Sequence, residues 1–235
     1  MTNLLPYFRN PAPKKDREVP REGFRGYVNL YLTYFWQLMF VNLVFLLACI
    51  PVVTIPAAFT ALNRVCIKLI HDRYTLVWLE FRDEFCRSFG RSFKIGLPFV
   101  PVFFLSYYLL SLGMTNGGNP YGMLFSGVGL LVGLVGLAVF QYAFVLNASL
   151  DLPAWAILKN SRALTFLGLK YTIGILGITC FVDVAMLFGF PISLVLLVLG
   201  VPTLVQFIVC CLGNIPMQKW IVEPYLRQQE ENAGM

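Results

Sequence analysis

The sequence predicts an all-α, polytopic membrane helix bundle, and three observations lead there. The chain is 58% hydrophobic and only 13% charged over 235 residues, where soluble domains sit nearer half apolar and a quarter charged. Its mean hydropathy is +0.71. The apolar residues also come in runs, and crossing about 30 Å of hydrocarbon takes roughly 20 helical residues. The basic residues that give the net charge of +6 flank these runs, where headgroups meet them, which argues against nucleic acid as a partner and for the lipid bilayer.

Residues 1–30 read as a polar cytoplasmic tail. Prolines at 6, 11, 13 and 20 oppose helix, and the first apolar run starts too late and runs too long for a signal peptide. Leu4, Leu5, Tyr7 and Phe8 are placed to touch the membrane surface.

Five apolar runs follow, at about 33–55, 95–114, 121–146, 171–189 and 191–213. Five crossings conflict with the charges. Arg9, Lys14, Lys15, Arg17, Arg21 and Arg25 precede the first run, and Arg73, Arg82, Arg87, Arg91 and Lys94 follow it, so a single crossing would place one basic cluster outside. Extending the run to residue 70 and reading it as a hairpin removes the conflict: one helix near 33–50, a turn at Pro51-Val-Val-Thr-Ile-Pro56, and a return helix near 57–70. Each proline removes a backbone donor and disfavours helix in the residue before it. The return helix is about 21 Å long and spans only a thinned bilayer or from inside the bundle.

Six crossings over residues 31–215 then place 115–120 and 189–191, which lack Lys and Arg, outside. Residues 147–170, with Lys159, Arg162 and Lys170, and the tail 216–235, with Lys219 and Arg227, fall inside together with the N-terminus. The expected location is a membrane that the chain crosses several times, with both termini on its cytoplasmic side.

Two inner segments read as amphipathic elbow helices. At 100° per residue Trp78, Phe81, Phe85, Phe89 and Phe93 gather on one side of 74–94, and Asp83, Glu84, Arg87, Arg91 and Lys94 on the other, which predicts a helix resting on headgroups. In 151–170, Asp151 is a cap candidate and Pro153 suits a first turn. Each elbow precedes two crossings, a pattern that suits an internal duplication.

The stretch from Asn42 through Ala48-Cys-Ile-Pro-Val-Val-Thr-Ile-Pro-Ala-Ala-Phe-Thr-Ala-Leu62, then Lys68-Leu69 and Glu84-Phe-Cys-Arg-Ser-Phe-Gly-Arg-Ser-Phe-Lys94, resembles the YesL-like family of bacterial integral membrane proteins, classed as a domain of unknown function. A weaker similarity covers Leu152 to Leu164, so the likeness extends over most of 24–225. The chain departs from the pattern at Pro56, where the family more usually has Gly; either residue opens a helix after a turn. The resemblance implies a role beside carbohydrate uptake, with a sugar permease or a signalling membrane protein as partner, and supplies no catalytic residues.

The residues themselves point away from enzyme chemistry, with no cofactor or metal expected. His71 is the single histidine, no G-x-S-x-G elbow or phosphate loop occurs, and the six cysteines contain no C-x-x-C and read as packing residues. Glu80, Asp83 and Glu84 read as solvated, with Asp83 four residues before Arg87. Gly129 and Gly133, with Gly122, Gly127 and Gly136, allow close helix approach, within the chain or across a dimer. Asp183 stands about 12 residues into an apolar span, where a carboxylate costs roughly 2.5–3.5 kcal/mol. Arg64, at a matching depth, is its predicted intramembrane ion-pair partner. Gln37, Asn42, Gln141 and Gln206 are further polar residues in or near spans, suited to interhelical hydrogen bonds or to a solute pathway. Two functions therefore stand: a non-enzymatic accessory or regulatory component of carbohydrate uptake, and a small-solute transporter or channel in its own right.

Overall fold

The computed structural model describes residues 24–72, 76–117 and 119–224. The expectations for Leu4, Leu5, Tyr7 and Phe8 and for the end of the C-terminal tail lie outside the described residues. Among the described residues the chain is helical almost throughout, with no strand, in ten α-helices: α1 Phe24–Thr33, α2 Phe35–Ala48, α3 Ile55–Asp72, α4 Val77–Gly96, α5 Phe99–Thr115, α6 Pro120–Ser149, α7 Ala154–Leu167, α8 Leu169–Phe188, α9 Ile192–Val198 and α10 Val201–Met217. Four helical segments are long and apolar enough to cross a membrane, or six if two bent pairs each count as one span: α1 with α2, bent by 71°, and α4 with α5, bent by 42°.

The proline-bounded turn is present. Pro51 is extended, and its carbonyl accepts the Thr54 amide at 3.0 Å, closing a single 3-10 turn over Val52–Thr54. Thr54 Oγ1 also donates toward the carbonyls of Ala48 and Pro51, each at 2.5 Å. Pro56 is the second residue of α3, where its missing donor would have no intrahelical partner. The first helix begins earlier than the composition suggested, because Phe24–Thr33 is already helical before the bend at Tyr34.

The return helix α3 is the centre of the molecule. From Ala57 to Ile70 every residue is buried except the half-buried Phe59 and Lys68. It is enclosed by α2, α4, α6 and α10. A helix sheathed in protein can be short and can carry Thr60, Asn63 and Arg64 without presenting them to lipid.

Helix α4 forms over the segment expected to be the first elbow. It runs antiparallel along α3: Gly96 meets Pro56, Ser92 meets Thr60, and Glu80 binds Lys68. Its buried face is Val77, Phe81, Glu84, Ser88, Ser92, Ile95 and Gly96, while Trp78, Phe89 and Phe93 are exposed. The small Ser and Gly side chains let the two helices close together, so the packing seam is a stripe of small and polar residues adjacent to the aromatic one.

Helices α5 and α6 form a long antiparallel hairpin. Ser106 Oγ donates to the Gly129 carbonyl at 2.8 Å, and a Cβ at Gly129 would lie 3.0 Å from the Leu110 amide nitrogen. The Gly133 position faces Ser106 and the Gly136 position faces Val102 of the same chain. The last predicted span, 191–213, is broken. Short α9 ends at Val198, and Gly200 takes φ +102° before α10 begins. That left-handed conformation disfavours any residue with a Cβ. The six cysteines are free thiols, with Cys66, Cys210 and Cys211 buried and Cys86 exposed.

Candidate functional site

The polar side chains collect around α3 in three groups. The first lies where α3, α4 and the end of α6 meet. An α-helix leaves its last carbonyls without intrahelical partners and carries partial negative charge there. Two arginines use that terminus of α6: Arg64, 7% exposed, donates from Nη1 to the Ala148 carbonyl at 3.2 Å, and Arg91 donates from Nη2 to the Asn147 carbonyl at 3.3 Å. Beneath them, Asn147 Nδ2 donates to Thr60 Oγ1 at 2.9 Å and to Ser92 Oγ at 3.0 Å. Thr60 lies 3.0 Å from the Pro56 carbonyl and 2.8 Å from Ser92. With Thr60 donating to the carbonyl, the Ser92 hydroxyl supplies the proton between the two oxygens.

Asp151 closes this group. Arg91 reaches its carboxylate at 2.8 Å and Arg87 at 3.2 Å. The capping expectation is thereby corrected. Pro153 occupies the cap position of α7 with no side-chain cap bond, because two α4 guanidiniums hold Asp151 instead. Glu84 is likewise 5% exposed and not solvated, since it sits on the α4 face against α3. Asp83 pairs with its neighbour Arg82 at 3.1 Å, which leaves Arg87 to Asp151.

The second group joins α3, α6 and α10. Gln206 Nε2 donates to Asn63 Oδ1 at 2.5 Å and to Gln141 Oε1 at 3.4 Å, and the Cys210 thiol lies 3.1 Å from the same Asn63 oxygen. Further along the α3–α10 seam, Asn214 lies 3.3 Å from His71 Nε2.

The third group spans the break before α10. Asn42, fully buried on α2, donates from Nδ2 to the carbonyls of Leu197 at 2.8 Å and Val198 at 3.2 Å, and accepts from Thr203 Oγ1 at 3.0 Å. One side chain thus satisfies carbonyls freed at the end of α9 and ties them to the first turn of α10.

Arg64 and Asp183 are not brought together. Arg64 is turned to the end of α6, whereas Asp183 is on the exposed side of α8, with no hydrogen-bond or ion-pair partner among the described residues. Equal depth along two helices does not fix the direction in which either side chain faces, and α3 is walled off by α10 on the flank toward α8. Gln37 is exposed on α2. Asn42, Gln141 and Gln206, by contrast, are buried and hydrogen-bonded.

Thr60, Asn63, Ser92 and Asn147 belong to these groups without standing out in the sequence, and Glu84 does so with a buried position in place of a solvated one. Their signal was a period of three to four: Thr60, Asn63 and Arg64 on α3, and Glu84, Ser88 and Ser92 on α4, each mark one helical face. Among the described residues, no group of three or more His, Cys, Asp or Glu could hold a metal ion.

Residues 27–109 match the family model described as "Protein of unknown function, DUF624". The match includes the proline turn, α3 and α4, with Thr60, Asn63, Arg64 and Ser92; Leu152 to Leu164 lies outside it. No curated protein and no solved structure matches the chain.

Proposed function

We propose that this chain is an integral membrane protein of the YesL-like type, resident in a bacterial cytoplasmic membrane with both termini inside, and that it serves as a non-enzymatic accessory or regulatory component of carbohydrate uptake. The supporting observation is where the polar groups go. Asn42, Asn63, Arg64, Gln141, Asn147 and Gln206 are bonded helix to helix, as interhelical fasteners, while the outer surface of α2, α5, α6, α8 and α9 is lined with exposed Phe, Leu, Val and Ile. The carbohydrate part rests on the family resemblance alone, carried by Asn42 to Lys94 and more weakly by Leu152 to Leu164.

The six-crossing arrangement counts α2, α3, α5, α6, α8 and α10 as the spanning elements. A transporter in its own right is the second reading. It is favoured by the interruption at Gly200, because discontinuous helices in transporters often mark a binding site.

Reconstitution separates the two. An accessory component is silent as the sole protein in proteoliposomes given radiolabelled sugars, and raises or regulates uptake when a sugar permease is reconstituted beside it. Saturable uptake by the chain alone would establish the transporter reading instead.

A further inference from the structure

Asp183 is the only charged residue between Lys170 and Lys219. It lies on the exposed side of α8, five residues before the helix ends at Phe188. The end of α8 offers no polar rim. Phe190 and then Ile192, Leu194 and Val195 of α9 are exposed beyond it, and Phe181, Val184 and Leu187 are exposed around it. A single carboxylate therefore stands in a continuous apolar surface, where hydrocarbon would penalise it and a hydrogen-bonding cation would relieve it.

Both cations of the central helix α3 are committed elsewhere. Arg64 is bonded to the α6 terminus and Lys68 to Glu80. A symmetric contact through α8 of a second copy would set two carboxylates face to face, which charge repulsion disfavours. We infer that the outer half of α8, with α9, is a docking face for a transmembrane helix of another protein that carries a lysine or arginine at the depth of Asp183. The inference rests on the accessory reading and names the chemistry of its partner.

The test uses the full chain, fluorescently labelled, in liposomes of phosphatidylcholine and phosphatidylglycerol. The probes are synthetic Leu/Ala helices of about 20 residues bearing a single Lys, Leu or Glu at the matching depth, with binding read by energy transfer. The Lys helix is expected to bind on the order of tenfold more tightly than the Leu helix. That preference disappears in Asp183→Leu and shrinks in Asp183→Asn, with helical content unchanged. Should Asp183→Leu fail to fold, Asp183→Asn decides by the same comparison. Equal binding of the Lys and Leu helices overturns the proposal, as does a Lys preference that survives Asp183→Leu. Energy transfer between two labelled copies that is lost in Asp183→Leu also overturns it, because the face then belongs to a second copy. Solute transport by the chain alone would defeat the accessory reading yet leave the helix preference standing, so the two failures are distinguishable.

Discussion

Asn147 shows how a single amide organises the interior. Its two donors go to Thr60 on α3 and Ser92 on α4, so removing it leaves two buried hydroxyls without that partner. Asn147→Leu is expected to lower stability by about 1–3 kcal/mol, measured by thermal unfolding in detergent. A cycle with Ser92→Ala should be non-additive, because the two side chains share a bond. Arg64 and Asp183 should diverge under the same measurement. Arg64→Leu abandons the Ala148 carbonyl and should reduce the midpoint temperature, whereas Asp183→Asn, on an exposed face, should leave it nearly unchanged. Equal losses with coupling in a double-mutant cycle would instead show that the two charges meet. Gly200→Ala places a Cβ at φ +102° and is expected to cost about 1 kcal/mol or more.

Among the elements, the α3–α4 pair gives the sharpest contrast. Ser88 is buried in the seam while Phe89, one position on, is exposed. Ser88→Leu should therefore force the helices apart and speed proteolysis of the segment in inverted vesicles, whereas Phe89→Ser should leave the pairing intact. The opposite ranking would mean that the aromatic stripe carries the packing. The hairpin can be checked with a cysteine the chain already has. In a background retaining Cys86 alone, a membrane-impermeant thiol reagent should react from the cytoplasmic side. With Cys86 replaced and Val53→Cys introduced in the exposed turn, it should react from the outside. Labelling of both positions from one side would remove the six-crossing topology.

Over the whole molecule, burial is uneven in a way that sets local stability. α3 is sheathed on several sides, whereas α8 and the first half of α6 present much of their surface outward. Amide exchange in lipid nanodiscs should accordingly be slowest in 57–70, among backbone amides of the spanning helices, and faster around the break at 199–200, where the helix is interrupted. Uniform protection across the bundle would contradict this core assignment. What the sequence determined by itself was the one-dimensional part: helical class, the apolar runs, and the Pro51 to Pro56 turn, because hydrophobicity and missing backbone donors are properties of the residues themselves. The tertiary structure alone decided azimuth and neighbour. It put α3 at the centre, turned Glu84 and Ser88 inward, took Asp151 from its cap to Arg91, and separated Arg64 from Asp183. Composition and spacing set how far along a helix a side chain lies; which way it faces depends on which helix packs there, and that requires the packing of the whole chain.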